Sequence, residues 1–195
     1  MNRPASRPGP LHRRPARGFV LVVCLLMLVV MSLLSVGVFR AANNQERLAG
    51  NTREKQRALQ AAESALQYAE DWLRTNPSVV SGTTCAGVVD FTAAGGMRIC
   101  TAAIATPTVV PWTVGTKYLP SYMTVAAGGG LTSTGDVNYA AQPMFHIQAL
   151  GSSPGGSGLL YKVTALGHGG DIATVAVIES VLERGAGTAT GLSGL

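Results

Sequence analysis

From Phe19 to Phe39 the chain runs through 21 consecutive uncharged residues, FVLVVCLLMLVVMSLLSVGVF. As a helix at ~1.5 Å per residue this segment spans ~32 Å, enough to cross the apolar core of a bilayer. A cleavable secretory signal uses a shorter apolar region, ~7–15 residues, and here a charged, helix-forming segment follows directly. Ser35-Val36-Gly37 is only a weak small-residue cleavage site. Arg13-Arg14 is a poor match to a twin-arginine signal, because Pro15 follows it and the apolar run is long. The arginines precede the span, so the positive-inside rule puts residues 1–18 in the cytoplasm. The remainder is then expected across the inner membrane or beyond it.

The 195 residues give room for one domain. The formal net charge of +5 invites a nucleic-acid reading, but its distribution excludes one. Five of the fifteen Lys and Arg residues precede Gly18, and all ten acidic residues follow it. Residues 19–195 therefore carry ten basic and ten acidic groups and no net charge. A groove that tracks phosphates needs cations spread over the folded part.

Helical character continues past the apolar run. Between Arg40 and Arg74 there is no proline, and Gly50 is the only glycine. Ala, Glu, Arg, Gln and Leu dominate, all good helix formers. Leu59, Ala62, Leu66, Ala69 and Leu73 recur at 3-4 spacing and define an amphipathic stripe, which Ala58, Ala65 and Trp72 widen. The polar run NTREKQR (51–57) reads as solvated or as lying between partners. Asn76-Pro77 ends the helix, since proline biases the preceding residue out of the α region. The segments are thus 1–18, a leader; 19–39, a membrane span; 40–75, the amphipathic half of the same helix; and 76–195, a β-rich head.

The head is rich in Gly, Ser, Thr and Ala with β-branched runs. PMFHIQALG (143–151), LLYKVTALG (159–167) and IATVAVIESVLE (172–183) read as three strands of an antiparallel meander, joined by turn chemistry at 152–158 and 168–171. GMRICTAAIA (96–105) reads as a further strand, 126–142 as a long surface loop, and 184–195 as a disordered tail. Packing the sheet on the helix stripe gives an α+β head. Cys85 and Cys100 bracket fourteen residues. A bridge there would contribute ~3 kcal/mol by closing a loop of that size, and an oxidising compartment favours it over two unpaired thiols. Cys24 lies in the apolar run as a small hydrophobe.

Arg17-Gly18-Phe19 followed by the apolar run resembles a type III prepilin signal, shared by type IV pilins and type II secretion pseudopilins. That resemblance implies cleavage after Gly18 by a membrane prepilin peptidase and methylation of the new amine on Phe19. A glycine suits that position because its backbone extends without a side chain. Within the group, the stretch 47–73 is similar to PilX-type minor pilins. The matching residues are Leu48-Ala49-Gly50-Asn51, Gln60-Ala61-Ala62-Glu63 and Ala69-Glu70. YKVTALGHGG and the last valine-rich strand look like that group's C-terminal end. The resemblance implies a pilin-like α+β fold with a long N-terminal helix on an antiparallel sheet. It also implies partners: other minor pilins and the major pilin through the N-terminal helix, a PilY-type tip adhesin, and a location in the inner membrane and then the pilus or cell surface, with a part in cell adhesion.

One departure matters. Major pilins carry a glutamate at the fifth mature residue, where this chain has Val23. A carboxylate inside an apolar bundle is costly unless paired. Its absence is shared by PilX-type and tip-capping subunits, and points to a place at the filament end.

Catalytic constellations do not assemble in the sequence. His12, His146 and His168 lack companions at metal-ligand spacing, His168 with Asp171 being a weak pair. GSSPGGSG (151–158) lacks a phosphate-binding lysine and reads as a linker. Glu63 and Glu70 read as helix-surface charges or subunit contacts. The sequence therefore reads as a non-enzymatic subunit without cofactor, a minor pilin that initiates pilus assembly. Two alternatives remain: a type II secretion minor pseudopilin, and a signal-anchored periplasmic domain binding a ligand through 126–142.

Overall fold

The computed structural model describes residues 18–76, 81–126, 138–156, 158–185 and 189–192. The chain divides into two units between Leu48 and Ala49. One helix, α1 (Phe19–Thr75), is followed by seven strands: β1 (Val88–Asp90), β2 (Ile99–Cys100), β3 (Gly115–Lys117), β4 (Met144–Ser152), β5 (Gly158–His168), β6 (Val175–Gly185) and β7 (Ala189–Leu192). This is the expected α+β, pilin-like fold, with the helix bounds read from the sequence reproduced. Residues 1–17 of the expected leader lie outside the described residues.

In the first unit the apolar side chains of α1 face outward, with Phe19 73%, Leu28 69% and Phe39 71% exposed. The helix has a mean hydropathy of 3.1 over its most apolar window. Two serines in the run cost little, because each hydroxyl is satisfied within the helix. Ser32 Oγ donates to Val29 O at 2.8 Å, and Ser35 Oγ to Met31 O at 2.8 Å.

In the second unit α1 packs on the sheet through alanine. Ala58, Ala61, Ala62, Ala65, Ala69 and Leu73 have no exposed surface. Ala65, Ala69 and Leu73 join one core with Phe145 and Ile147 of β4, Tyr161, Val163 and Ala165 of β5, and Leu182 of β6. The expected stripe is corrected at its first member: Leu59 is 40% exposed. Leu66 and Trp72 are only partly buried. The reason is close approach. A Cβ on Gly167 would stand 2.3 Å from Ala58 O and 2.4 Å from Ala62 N. Helix and strand backbones nearly touch there, so only small side chains fit the seam and Leu59 is turned aside.

The polar run 51–57 is docked rather than free. Glu54 accepts from Gly170 N and pairs with Arg57 at 3.2 Å. Lys55 Nζ donates to Val175 O at 2.9 Å. Arg57 reaches Asn138 O at 3.3 Å and stacks 4.5 Å from the Tyr139 ring. At the other end of the helix, Asn76 closes on Trp72 O through both its backbone N–H and its side-chain amide, at 3.0 and 2.9 Å. Buried Arg184 donates to Leu73 O at 3.3 Å and Asn76 O at 3.1 Å, and its guanidinium lies 5.4 Å from the Tyr161 ring. A cation here complements the negative end of the helix.

The strand order is β1-β3-β4-β5-β6-β7, with β2 paired to β4. The expected meander β4-β5-β6 is antiparallel throughout, and the short β1 and β2 add parallel pairings. A register shift between Ala149 and Gly151 interrupts the β4–β5 ladder, and Gly151 takes φ 101° there. β6 begins at Val175, three residues later than its predicted start. Asp171 holds the preceding turn, accepting from Ala173 N at 2.8 Å and Thr174 N at 3.0 Å. Of the predicted strand 96–105 only Ile99–Cys100 forms. Within the segment 184–195 read as a disordered tail, Arg184 and Gly185 complete β6 and Ala189–Leu192 pair with it as β7, while 186–188 and 193–195 lie outside the described residues. Residues 127–137 of the predicted loop lie outside the described residues, while its ends meet where Val125 bridges Tyr139.

A second apolar cluster of Trp112, Met144 and Leu166, flanked by Val175 and Val177, occupies the sheet face away from α1. His146 shares that face, 4% exposed. Its Nε2–H donates to Ala102 O at 2.9 Å, and its buried Nδ1 has no partner. His168 Nδ1–H donates to Ile172 O at 3.1 Å. Burial pushes both imidazoles below their ordinary value.

Two predictions follow from this packing. Gly167→Ala should destabilise the folded head by about 1–3 kcal/mol, because backbone must shift to admit the methyl. Gly50→Ala, in open space on the same helix, should cost nothing. Urea titration of the full chain in detergent distinguishes the two. The histidines set the pH dependence. Both bind a proton less readily in the fold than in the unfolded chain, so the unfolded chain binds more protons as pH falls through about 6.5. Stability should therefore decline between pH 7 and 5.5, and the decline should be shallower in His146→Gln, as read from urea midpoints across that range.

Candidate assembly interface

The residues singled out in the sequence fall in two places. Gly18, Phe19 and Val23 belong to the first unit, Cys85 and Cys100 to the second. Gly18 occupies the turn immediately before the first residue of α1. A Cβ built there meets nothing within 4 Å. Contacts among the described residues thus give no reason for glycine at this position. Phe19 opens the helix with its ring exposed, and no acidic residue occurs in the first turn. Val23 is only half-buried, on a helix whose first charged residue after Phe19 is Arg40. Geometrically, this half of α1 is a rod of apolar side chains with its backbone hydrogen bonds closed internally. It suits a lipid phase or the sides of similar helices.

Cys85 and Cys100 are joined by a disulfide, with Cα atoms 5.4 Å apart and a sequence separation of 15. Thr83 lies alongside: its N–H donates to Ile99 O at 2.8 Å, and its carbonyl accepts from Thr101 N at 3.0 Å. The loop inside the bridge is pinned by Arg98, which donates to Ala86 O at 2.9 Å, to Gly87 O, and to Gly115 O at 3.3 Å. Cys24 is a free thiol on the apolar helix. Beside the bridge a cavity of about 370 Å³ is lined by Thr84, Ile104, Trp112 and His146 among others, with no carboxylate, lysine or arginine.

The two helix glutamates take different roles. Glu63 is exposed. Glu70 accepts from Ser180 Oγ of β6 at 2.6 Å and pairs with Arg74 at 3.6 Å, so it joins helix to sheet. The functional side chains that periodicity missed are those that tie α1 to the head: Glu54, Lys55, Arg57 and Arg184. The only sequence signal for the first three was a helical stretch polar on every side, which propensity alone cannot assign to a partner. Arg184 carried no signal, because the strand pattern read from the sequence stops at Glu183 and Gly185 follows.

Two family models match the chain. PilX N-terminal covers residues 17–67, which takes in the Gly18–Phe19 junction and the polar run. Type IV pilus assembly protein PilX C-term covers residues 92–184, from the disulfide loop to the capping arginine. No curated protein and no solved structure matches it. The two matched segments carry both the apolar helix and the sheet that packs on its alanine seam: the chain belongs to the PilX family of type IV pilus assembly proteins.

Proposed function

We propose that this protein is a minor pilin that helps to initiate type IV pilus assembly as part of a tip complex. The observation that carries the reading is the first half of α1. It is an uncovered apolar rod that begins directly after a glycine no internal contact requires. On this reading residues 1–18 are a cytoplasmic leader, removed after Gly18 by the prepilin peptidase, and the amine of Phe19 is methylated. The span then holds the subunit in the inner membrane with its head in the periplasm. Other minor pilins and the major pilin pack along the same helix and withdraw it from lipid. A PilY-type adhesin is the partner expected at the tip, with surface attachment as the eventual outcome. The Cys85–Cys100 bridge supports an oxidising location for the head.

Val23 supports the terminal position. Where a carboxylate would need a neighbour's amine, valine needs only apolar packing. A subunit at the end of a filament lacks one neighbour, so the unpaired carboxylate would be the costly choice there.

Processing is tested by the mass of the mature N-terminus. A chain beginning at methylated Phe19 is expected, and Gly18→Val should accumulate as uncleaved precursor in the membrane. Normal cleavage of that variant, or a start near Gly37, would overturn the reading. Position in the filament is tested by immunogold labelling of sheared pili. Sparse label at the ends is expected, and Val23→Glu should be poorly incorporated. Label along the shafts, or full incorporation of the variant, would remove the tip assignment.

A further inference from the structure

Strand β6 is paired along all eleven of its residues on one side and along four on the other. β5 meets Val175–Gly185 without interruption, while β7 meets only Val181–Arg184. Among the described residues no strand pairs with the outer edge of Val175–Ser180, and Lys55 Nζ donates to Val175 O at its start. Six residues of open edge amount to roughly 20 Å of unpaired backbone donors and acceptors. Proteins normally blunt such edges with proline, a bulge or outward charge. This one has no proline and no register shift. Its single charge, Glu179, is engaged by Lys162 at 2.9 Å and Thr164 at 2.9 Å, both on β5. None of the six residues is buried.

We infer that the Val175–Ser180 edge receives an extended strand from another pilus subunit, which adds to this sheet in line with β7. The inference rests on the pilus-assembly reading. Three observations select the occupant. First, β7 shows that this side of β6 accepts an antiparallel strand. Second, α1 runs beside the same strand in the same direction, with Lys55 at Val175, Glu70 at Ser180 and Leu73 at Arg184. A subunit packed against this part of α1 brings its own head beside β6. Third, the side chains flanking the edge are apolar on both faces. Ile178 belongs to the helix-side core, and Val175 and Val177 to the opposite cluster. With its one carboxylate already paired, the edge suits an uncharged, β-branched strand bound through its backbone.

The test is hydrogen exchange on the full-length protein in detergent, alone and in the complex isolated with the other minor pilins. Alternate amides within 175–180 should exchange at least about tenfold more slowly in the complex. Unchanged exchange in a complex that has formed would overturn strand addition and leave the assembly reading intact. Slowing in the protein alone, on raising its concentration, would mean self-pairing and would also overturn it. Failure of the wild-type chain to form any complex would count against the assembly reading, and this one with it. Proline supplies the second arm. Of Ala176→Pro and Val177→Pro, one removes an N–H bonded to β5 and should unfold the ladder. The other removes an outward N–H, should keep the fold by circular dichroism, and should lose the complex. A folded proline variant that binds as wild type would refute the proposal.

Discussion

Gly167 lies where the backbone of β5 comes to rest on the backbone of α1, with no room for a methyl group between them. Much of the second unit depends on that contact. It requires alanine on the helix face at 58, 61 and 62, and it holds the helix low enough for Ala65, Ala69 and Leu73 to meet Tyr161, Phe145 and Leu182. A seam of alanines buries little area per residue, so the apolar contribution of each is small. What it gains is proximity. The large side chains of the sheet then close over both flanks of the helix, and Tyr68 stacks on Tyr118 at 4.2 Å between centroids.

Polar contacts hold both ends of the seam. At one end Glu54, Lys55 and Arg57 reach three separate pieces of the head: the turn after β5, the start of β6 and the segment at 138–139. At the other, Arg184 and Asn76 satisfy carbonyls that the last turn of a helix leaves open. Ion pairs at such partly exposed sites contribute little each. Their value lies in registry, because an alanine stripe alone tolerates a slip of the helix along the sheet, and fixed charges do not.

The first half of α1 is governed by a different solvent. No side chain between Phe19 and Phe39 carries charge, and the two serines return their hydroxyls to the helix's own carbonyls. Such a surface is stable in lipid and equally stable against other helices of the same kind. That double compatibility is what the proposed passage of the subunit from membrane to filament requires. The disulfide belongs to the head, where the small loop around Arg98 gains rigidity that its glycines would not supply.

The sequence by itself determined the elements whose signal is local. Twenty-one uncharged residues beside an arginine-rich segment can form one thing in a bilayer, and a proline-free run rich in Ala, Glu and Leu continues it to Thr75. Alternating β-branched residues between glycine turns defined β4, β5 and β6 to within a few residues, because period-two patterning and turn chemistry are both written along the chain. The tertiary structure decided the rest, because the deciding contacts join residues far apart. Leu59 looks like a core residue until the close approach at Gly167 excludes it. The run 51–57 looks solvated until the turn at 168–170 presents the Gly170 N–H to Glu54. Arg184, set among glycines, acquires its role only when β6 ends beside the last turn of α1. Short strands such as β1 and β3 have too few residues to show a period, and they form because neighbouring backbones offer them partners.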